Sequence, residues 1–150
     1  MANRRVWMVG GGGPGSFFGM VHNRAISLDA SREVVAGALR TRPKESLKAA
    51  AEWGIQGYKD YQAMLDACLQ GDLQLDYVTI VTPNYAHYAP AKAFLQAGIA
   101  VLCEKPITMT VAEAQDLARI TKRRRVPFVL AHTYTGHPMM MLAKEMVRRG

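Results

Sequence analysis

Long apolar runs, paired cysteines and low-complexity segments are all missing from this chain of 150 residues. No apolar run approaches the ~20 residues that a membrane-spanning helix needs, so we expect no contact with a membrane. The basic N-terminus, residues 1–5, is followed by a short apolar stretch and then by glycines, which does not fit a secretory signal. The two cysteines, Cys68 and Cys103, match neither a disulfide framework nor a metal site. We therefore expect free thiols, no bound metal and a reducing, cytoplasmic location.

Acidic residues are scarce: 12 Asp and Glu stand against 19 Lys and Arg, which gives a net charge of +7. The one dense basic run, residues 122–125, lies at the end of a predicted amphipathic helix, where cations complement the helix dipole. Neither interleaved aromatic residues nor a nucleic-acid recognition motif accompanies this run. We expect a solvated helix end, no nucleic-acid partner, and small anionic molecules as ligands.

Apolar, strand-like segments alternate with helical periodicities along the chain. The predicted strands cover residues 5–9, 34–39, 76–81, 99–103 and 127–131. The predicted helices cover residues 16–28, 44–53, 60–69, 87–96, 110–124 and 138–149. Strands with continuous apolar runs, each followed by a helix, indicate a parallel sheet that is covered on both faces. Right-handed crossovers then predict a doubly wound α/β fold of three layers.

Local patterns support the predicted helix boundaries. Thr110 and Glu113 have the spacing of a capping box, and Gly54 and Gly98 follow helices as C-terminal caps. In the first helix, four apolar residues recur at helical spacing: Phe17, Val21, Ala25 and Leu28.

A glycine-rich turn joins the first strand to the first helix. Gly10, Gly12 and Gly15 fit the spacing G-x-G-x-x-G, and Gly13, Gly15 and Gly19 fit a version one residue longer. Glycines supply positive φ angles and let backbone N–H groups approach a diphosphate at the helix N-terminus. In this strand–turn–helix context the motif predicts dinucleotide binding. The residues expected to contact the cofactor here are Gly10, Gly12, Gly13, Gly15, Ser16 and Phe17.

The end of the second predicted strand carries no carboxylate. Dinucleotide folds usually place Asp or Glu there, where it accepts hydrogen bonds from the adenosine ribose. This chain has Arg40, Thr41 and Arg42 instead. An arginine can pair with a 2′-phosphate, which a carboxylate would repel. These residues favour NADP over NAD; the alternative is that they are loop cations and that backbone groups hold the ribose.

Further polar segments are predicted to meet at the carboxyl ends of the strands, where open α/β sheets bind ligands. They cover residues 82–84 with His87, 104–106 and 132–134. Lys105 is the first candidate catalytic residue, because a lysine at a crowded, partly dry site can exchange a proton with a substrate hydroxyl during hydride transfer. The neighbouring residues also have structural interpretations. His87 fits a helix N-terminus, Glu104 fits a surface ion pair with Lys105, and Tyr134 fits a core aromatic.

Three of these segments together resemble the nucleotide-binding half of the Gfo/Idh/MocA oxidoreductases: the glycine turn, Thr82-Pro83-Asn84 with His87, and Glu104-Lys105-Pro106. The resemblance covers essentially the whole chain, and the E-K-P motif is its most specific part. It implies a Rossmann domain over residues 1–150. It also implies a second domain, absent from this chain, that binds substrate and forms homo-oligomers. The implied reaction moves hydride between NAD(P) and a hydroxyl carbon of a sugar, cyclitol or related compound.

The resemblance also implies residue roles. Lys105 matches the catalytic lysine and Pro106 the commonly cis proline that aims it. The cofactor is implied to lie along Thr82, Pro83, Asn84 and His87, with Glu104 near the nicotinamide ribose. Tyr134 belongs to a stretch that faces the active site and is the second candidate catalytic residue.

This chain departs from the family pattern in two places. The glycine turn is longer than usual, and Arg40 replaces the usual acidic residue. The family also leaves two other functions open, a redox-neutral NAD-dependent glycosidase and a non-catalytic NAD(P)-binding regulatory protein.

Overall fold

The computed structural model describes residues 4–71 and 75–150. Within these ranges strands and helices alternate. The strands are β1 (Arg4–Gly10), β2 (Arg32–Ala38), β3 (Gln56–Gly57), β4 (Tyr77–Val81), β5 (Ala100–Glu104) and β6 (Phe128–Ala131). The helices are α1 (Phe17–Ser27), α2 (Pro43–Glu52), α3 (Tyr61–Gln70), α4 (Tyr88–Gln96), α5 (Val111–Arg124) and α6 (Pro138–Arg149).

All the strands pair in parallel, in the order β3-β2-β1-β4-β5-β6. Neighbouring residues of β1 point to opposite faces of this sheet. Trp7 and Val9 pack in the cluster that contains side chains of α3, α4 and α5, whereas Val6 and Met8 pack with α1 and α2. Helices therefore cover both faces, and the predicted doubly wound, three-layer fold is confirmed.

The order of the strands reverses between β1 and β4, because β1 connects to β2 on one side and lies against β4 on the other. Such a reversal opens a crevice at the carboxyl ends of the strands, and this is where α/β sheets bind ligands. The glycine turn after β1 and residues 82–84 after β4 both lie at this crevice.

The predicted helix ends are largely confirmed. Thr110 and Glu113 form both hydrogen bonds of the capping box, and Gly54 and Gly98 have φ angles of +67° and +84° just beyond α2 and α4. Strand β3 was not predicted, since two residues, Gln56–Gly57, are too short for a periodic pattern.

The apolar stripe predicted along α1 is not its buried face. Phe17, Val21 and Leu28 are exposed, whereas Gly19 and Ile26 are buried. The reason is the close approach of Gly19 to the glycine turn, which directs the larger apolar residues outward.

Helix α6 is exposed along most of its length, including the side chains of Met139, Met140, Met141, Leu142, Met146 and Val147. The basic residues 122–125 at the end of α5 are also exposed, as expected for a solvated helix end. In the part of the chain that is described, no helix has the length and apolar character needed to cross a membrane.

Candidate functional site

The turn between β1 and α1 is built from glycines in the left-handed region. Gly10, Gly11, Gly12, Gly13 and Gly15 have φ angles between +70° and +83°. A Cβ atom on Gly10 would lie 2.7 Å from the Thr82 nitrogen, and one on Gly13 would lie 2.7 Å from the Ala49 Cβ. Both the backbone conformation and the lack of space therefore require glycine at these two positions.

Gly19, inside α1, holds the helix against the turn. A Cβ atom at this position would overlap the carbonyl oxygen of Gly11. Dinucleotide-binding folds use one glycine for such close helix packing. Gly19, the last glycine of the longer spacing, therefore fills this role. Gly15, the last glycine of the shorter spacing, has open space around it, so the shorter spacing does not contain the packing glycine.

Main-chain hydrogen bonds tie the turn to the neighbouring strands. The Gly11 amide donates to the Val81 carbonyl, and the Gly12 amide donates to the Leu39 carbonyl, each at 3.0 Å. These amides are therefore occupied by the protein itself. Ser16, the N-cap of α1, makes no side-chain capping bond. The first-turn amides of α1 and the positive end of its dipole are the groups that fit an anion.

A groove of about 640 Å³ runs along this crevice. Its lining includes predicted residues from the glycine turn, the end of β2 and the end of β4: Gly10, Gly12, Ser16, Arg40, Thr41, Thr82, Pro83 and Asn84. A smaller cavity of about 90 Å³ shares Phe18, Val81, Thr82 and Asn84 with this groove and adds Glu104 and Lys105. The structure thus brings the glycine turn and the E-K-P segment to one continuous site.

Several predicted site residues do not line either cavity: Gly13, Gly15, Phe17, Arg42, His87, Pro106 and Tyr134. The Arg42 guanidinium donates to Glu45 Oε1 at 3.1 Å, within its own helix turn. The side chains of Phe17 and Tyr134 are 74% and 77% exposed, so the interpretation of Tyr134 as a core aromatic is wrong.

His87 is fully buried and links the β4 and β5 sides of the site. Its Nδ1 atom lies 2.7 Å from the Pro106 carbonyl oxygen and its Nε2 atom 2.9 Å from the Thr82 carbonyl oxygen. The Lys105–Pro106 peptide bond is cis, as the family resemblance implies. His87 therefore supports both backbone segments from beneath and does not reach into the groove.

Glu104 is not in a surface ion pair with Lys105. Its carboxylate is buried, Oε1 lies 2.9 Å from Nε2 of His22, and Oε2 accepts from the Lys105 backbone amide at 3.1 Å. The Lys105 side chain is exposed, so the residues at 4–71 and 75–150 do not supply the crowded surroundings that were expected for it. Burial, with a smaller effect of the Glu104 charge, raises the pKa of the adjacent Cys103 thiol to about 12, which excludes it as a nucleophile near neutral pH.

Sequence reasoning missed several groove residues: Gly11, Phe18, Leu39, Asp60, Tyr61 and Val81. Asp60 is the N-cap of α3 and accepts from the Ala63 amide at 2.8 Å. The sequence indicates a helix start at Asp60, but only the pairing of β3 with β2 places that start beside the groove. His22 was also missed, since a lone histidine inside an amphipathic helix carries no sequence signal.

Comparison with known proteins gives consistent matches. The Gfo/Idh/MocA family model, described as an oxidoreductase family with an NAD-binding Rossmann fold, matches residues 4–132. D-apiose dehydrogenase of Paraburkholderia graminis is 32% identical over 89% of this chain and 34% of its own length. Levoglucosan dehydrogenase of Pseudarthrobacter phenanthrenivorans is 28% identical over 100% of this chain and 38% of its own length.

Solved structures agree with these matches. An oxidoreductase from Sinorhizobium meliloti has a TM-score of 0.88 and 40% identity, covering 100% of this chain and 42% of its own. An inositol dehydrogenase homolog from Azotobacter vinelandii, complexed with NADH and myo-inositol, has a TM-score of 0.86 and 31% identity, covering 99% of this chain and 40% of its own. The chain thus spans about two fifths of the length of these proteins. On the family match, the glycine turn and the parallel sheet, it belongs to the Gfo/Idh/MocA oxidoreductases, as their NAD-binding Rossmann domain.

Proposed function

We propose that the groove of about 640 Å³ binds a nicotinamide dinucleotide, with its diphosphate at the glycine turn and the N-terminus of α1. The observation that carries this proposal is the glycine turn at the groove, where Gly10, Gly11 and Gly12 line the wall with φ angles between +70° and +81°, beside the N-terminus of α1. The first turn of α1 has no side-chain cap, so its amides remain for an anion. A bound nicotinamide supplies the hydride acceptor or donor.

NADP is the proposed cofactor, with NAD as the alternative. Arg40 and Thr41 line the groove at the end of β2, where a 2′-phosphate would find a cation and a hydroxyl. Arg42 contributes less than its sequence position suggests, because its guanidinium is paired with Glu45. The groove also contains the carboxylate of Asp60, which is already held as a helix cap.

Lys105 is proposed to transfer the proton that accompanies hydride transfer, because it lies with Glu104 in the cavity that continues the cofactor groove. Tyr134 is proposed as a second residue of the active site; its exposed ring is free to meet a substrate or a further domain. The names of the relatives, D-apiose dehydrogenase and levoglucosan dehydrogenase, suggest a hydroxyl carbon of a sugar-like compound as the substrate.

The remaining proposals concern the longer protein. Its relatives are more than twice as long as this chain, so we propose a second domain that binds the substrate and forms a homo-oligomer. The exposed apolar side chains of α6 support such a packing partner, since contiguous exposed apolar surface marks interaction sites. We also propose a cytoplasmic location, in keeping with two free cysteines.

Calorimetric titration of this chain with NADP and NAD tests the cofactor proposal. We expect saturable binding of at least one nucleotide, and its loss on Gly13→Val, which places a branched side chain against Ala49. Gly136→Val is the matched control, because a Cβ atom there meets nothing within 4 Å. Failure of the unmodified chain to bind either nucleotide would refute the proposed function.

A further inference from the structure

We propose that His22 is a positioning residue that fixes the carboxylate of Glu104 and, through it, the backbone of Lys105; its effect on cofactor binding rests on the function proposed above. His22 lies on α1, whose N-terminus adjoins the glycine turn. Its imidazole reaches across to the end of β5, where Nε2 lies 2.9 Å from Glu104 Oε1. A side chain of α1, the helix whose N-terminus is proposed to bind the diphosphate, thus contacts the E-K-P segment directly.

The partners of His22 indicate which ring nitrogen donates and which accepts. An ionised carboxylate only accepts, so His22 donates to Glu104 from Nε2–H. In the neutral imidazole Nδ1 then carries the lone pair and accepts from the Thr79 hydroxyl at 3.3 Å. Thr79 is fully buried in the middle of β4, and a buried hydroxyl needs an acceptor for its proton. Nδ1 of His22 is that acceptor.

Both carboxylate oxygens of Glu104 are used. Oε1 accepts from His22, and Oε2 accepts from the Lys105 amide at 3.1 Å. The side chains of His22 and Glu104 are only 12% and 11% exposed, so solvent competes little for these bonds. Without the donor on His22, the buried carboxylate would lose one of its two fixed partners and turn towards water in the adjoining cavity.

Two variants separate positioning from simple packing. Glutamine carries its amide nitrogen about as far from the backbone as Nε2 of histidine, whereas the amide nitrogen of asparagine lies at about the distance of Nδ1. His22→Gln therefore keeps a donor within reach of Glu104, and His22→Asn does not. Arg24→Gln, on the exposed face of α1, is the control for substitution in this helix.

The first measurement needs no cofactor. Nitrogen-15 NMR of the folded chain is expected to show a protonated Nε2 and an unprotonated Nδ1 on His22. The Lys105 amide resonance is expected to keep its position in His22→Gln and to shift in His22→Asn. A proton on Nδ1 alone, or a Lys105 amide that does not move in His22→Asn, would overturn the proposal.

The second measurement is the affinity for NADH or NADPH, whichever the unmodified chain binds more tightly. We expect His22→Asn and Glu104→Gln each to weaken binding about fivefold, the effect of one hydrogen bond, and His22→Gln to stay within about twofold of the unmodified chain. Combining His22→Asn with Glu104→Gln is expected to add no further loss, because both act on one carboxylate. Additive losses, or unchanged affinity in His22→Asn, would overturn the positioning role. If the unmodified chain binds neither NADH nor NADPH, the proposed function fails, and the NMR measurement still decides the inference.

Discussion

Gly19→Ala is the substitution that the structure constrains most tightly. At an exposed helix position alanine is favoured over glycine by about 1 kcal/mol. At residue 19 the added methyl group would overlap the carbonyl oxygen of Gly11, a backbone atom that cannot turn aside. Overpacking costs about 1–3 kcal/mol, and because the clash here is with a backbone atom we expect the upper part of that range, about 2–3 kcal/mol, which reverses the sign of the helix preference.

The expected result is a net loss of about 1–2 kcal/mol in the free energy of unfolding, or a melting temperature lowered by roughly 2–8 °C. Relief of the overlap requires α1 to move away from the turn, which displaces the amides proposed to hold the diphosphate. Affinity for NADH is therefore expected to fall about tenfold, the equivalent of ~1.4 kcal/mol.

Urea denaturation followed by tryptophan fluorescence measures the stability, because Trp7 is buried in the core against Tyr58. The control is Ala118→Gly, the reverse change at an exposed position of α5, which is expected to cost about 1 kcal/mol and leave NADH affinity unchanged. A Gly19→Ala variant as stable as the unmodified chain, with full affinity for NADH, would refute this reasoning.

Four further predictions follow from single residues. Arg40→Ala is expected to weaken NADP binding by ~1–3 kcal/mol while calorimetry finds NAD affinity unchanged; equal losses would contradict the 2′-phosphate assignment. Ser46→Ala is expected to lower the urea-unfolding free energy by ~1–3 kcal/mol, because its buried hydroxyl accepts from the Leu39 amide and donates to the Tyr58 carbonyl; a neutral effect would contradict this. The Cys103 thiol, whose pKa burial raises to about 12, should resist iodoacetamide in the folded chain by mass spectrometry but react in urea. Lys105→Ala should abolish sugar-dependent NAD(P) reduction by the intact protein without lowering its melting temperature, and residual turnover would remove Lys105 from the proposed mechanism.

The sequence predicts the fold well, because strands and helices each show in the spacing of apolar residues along a short stretch of chain. The same kind of signal misleads in α1. Its most regular apolar stripe, with Phe17 and Leu28, faces outward, since the contact that orients the helix is made by the small Gly19. Hydrophobic periodicity cannot detect a contact that depends on the absence of a side chain.

The site is predicted in its segments rather than in its contacts. The glycine turn, residues 82–84 and the E-K-P motif do meet at one crevice, as strand order requires. Pairings between distant residues were not accessible, and the buried bond of Glu104 to His22, 82 positions away, replaces the expected ion pair with Lys105. A pairing between neighbouring residues was missed as well: Arg42 is bonded to Glu45, which lies only one helical turn further on.

The two hydrogen bonds from Gly11 and Gly12 to the Val81 and Leu39 carbonyls bear on how a ligand is received. They hold the turn in one conformation, so we expect a ligand to meet a preorganised backbone and to lose little affinity to the entropy of ordering a loop. Under the proposed function, we expect discrimination among nucleotides to depend on Arg40 in the groove and Glu104 in the adjoining cavity, because the glycine turn offers every diphosphate the same backbone.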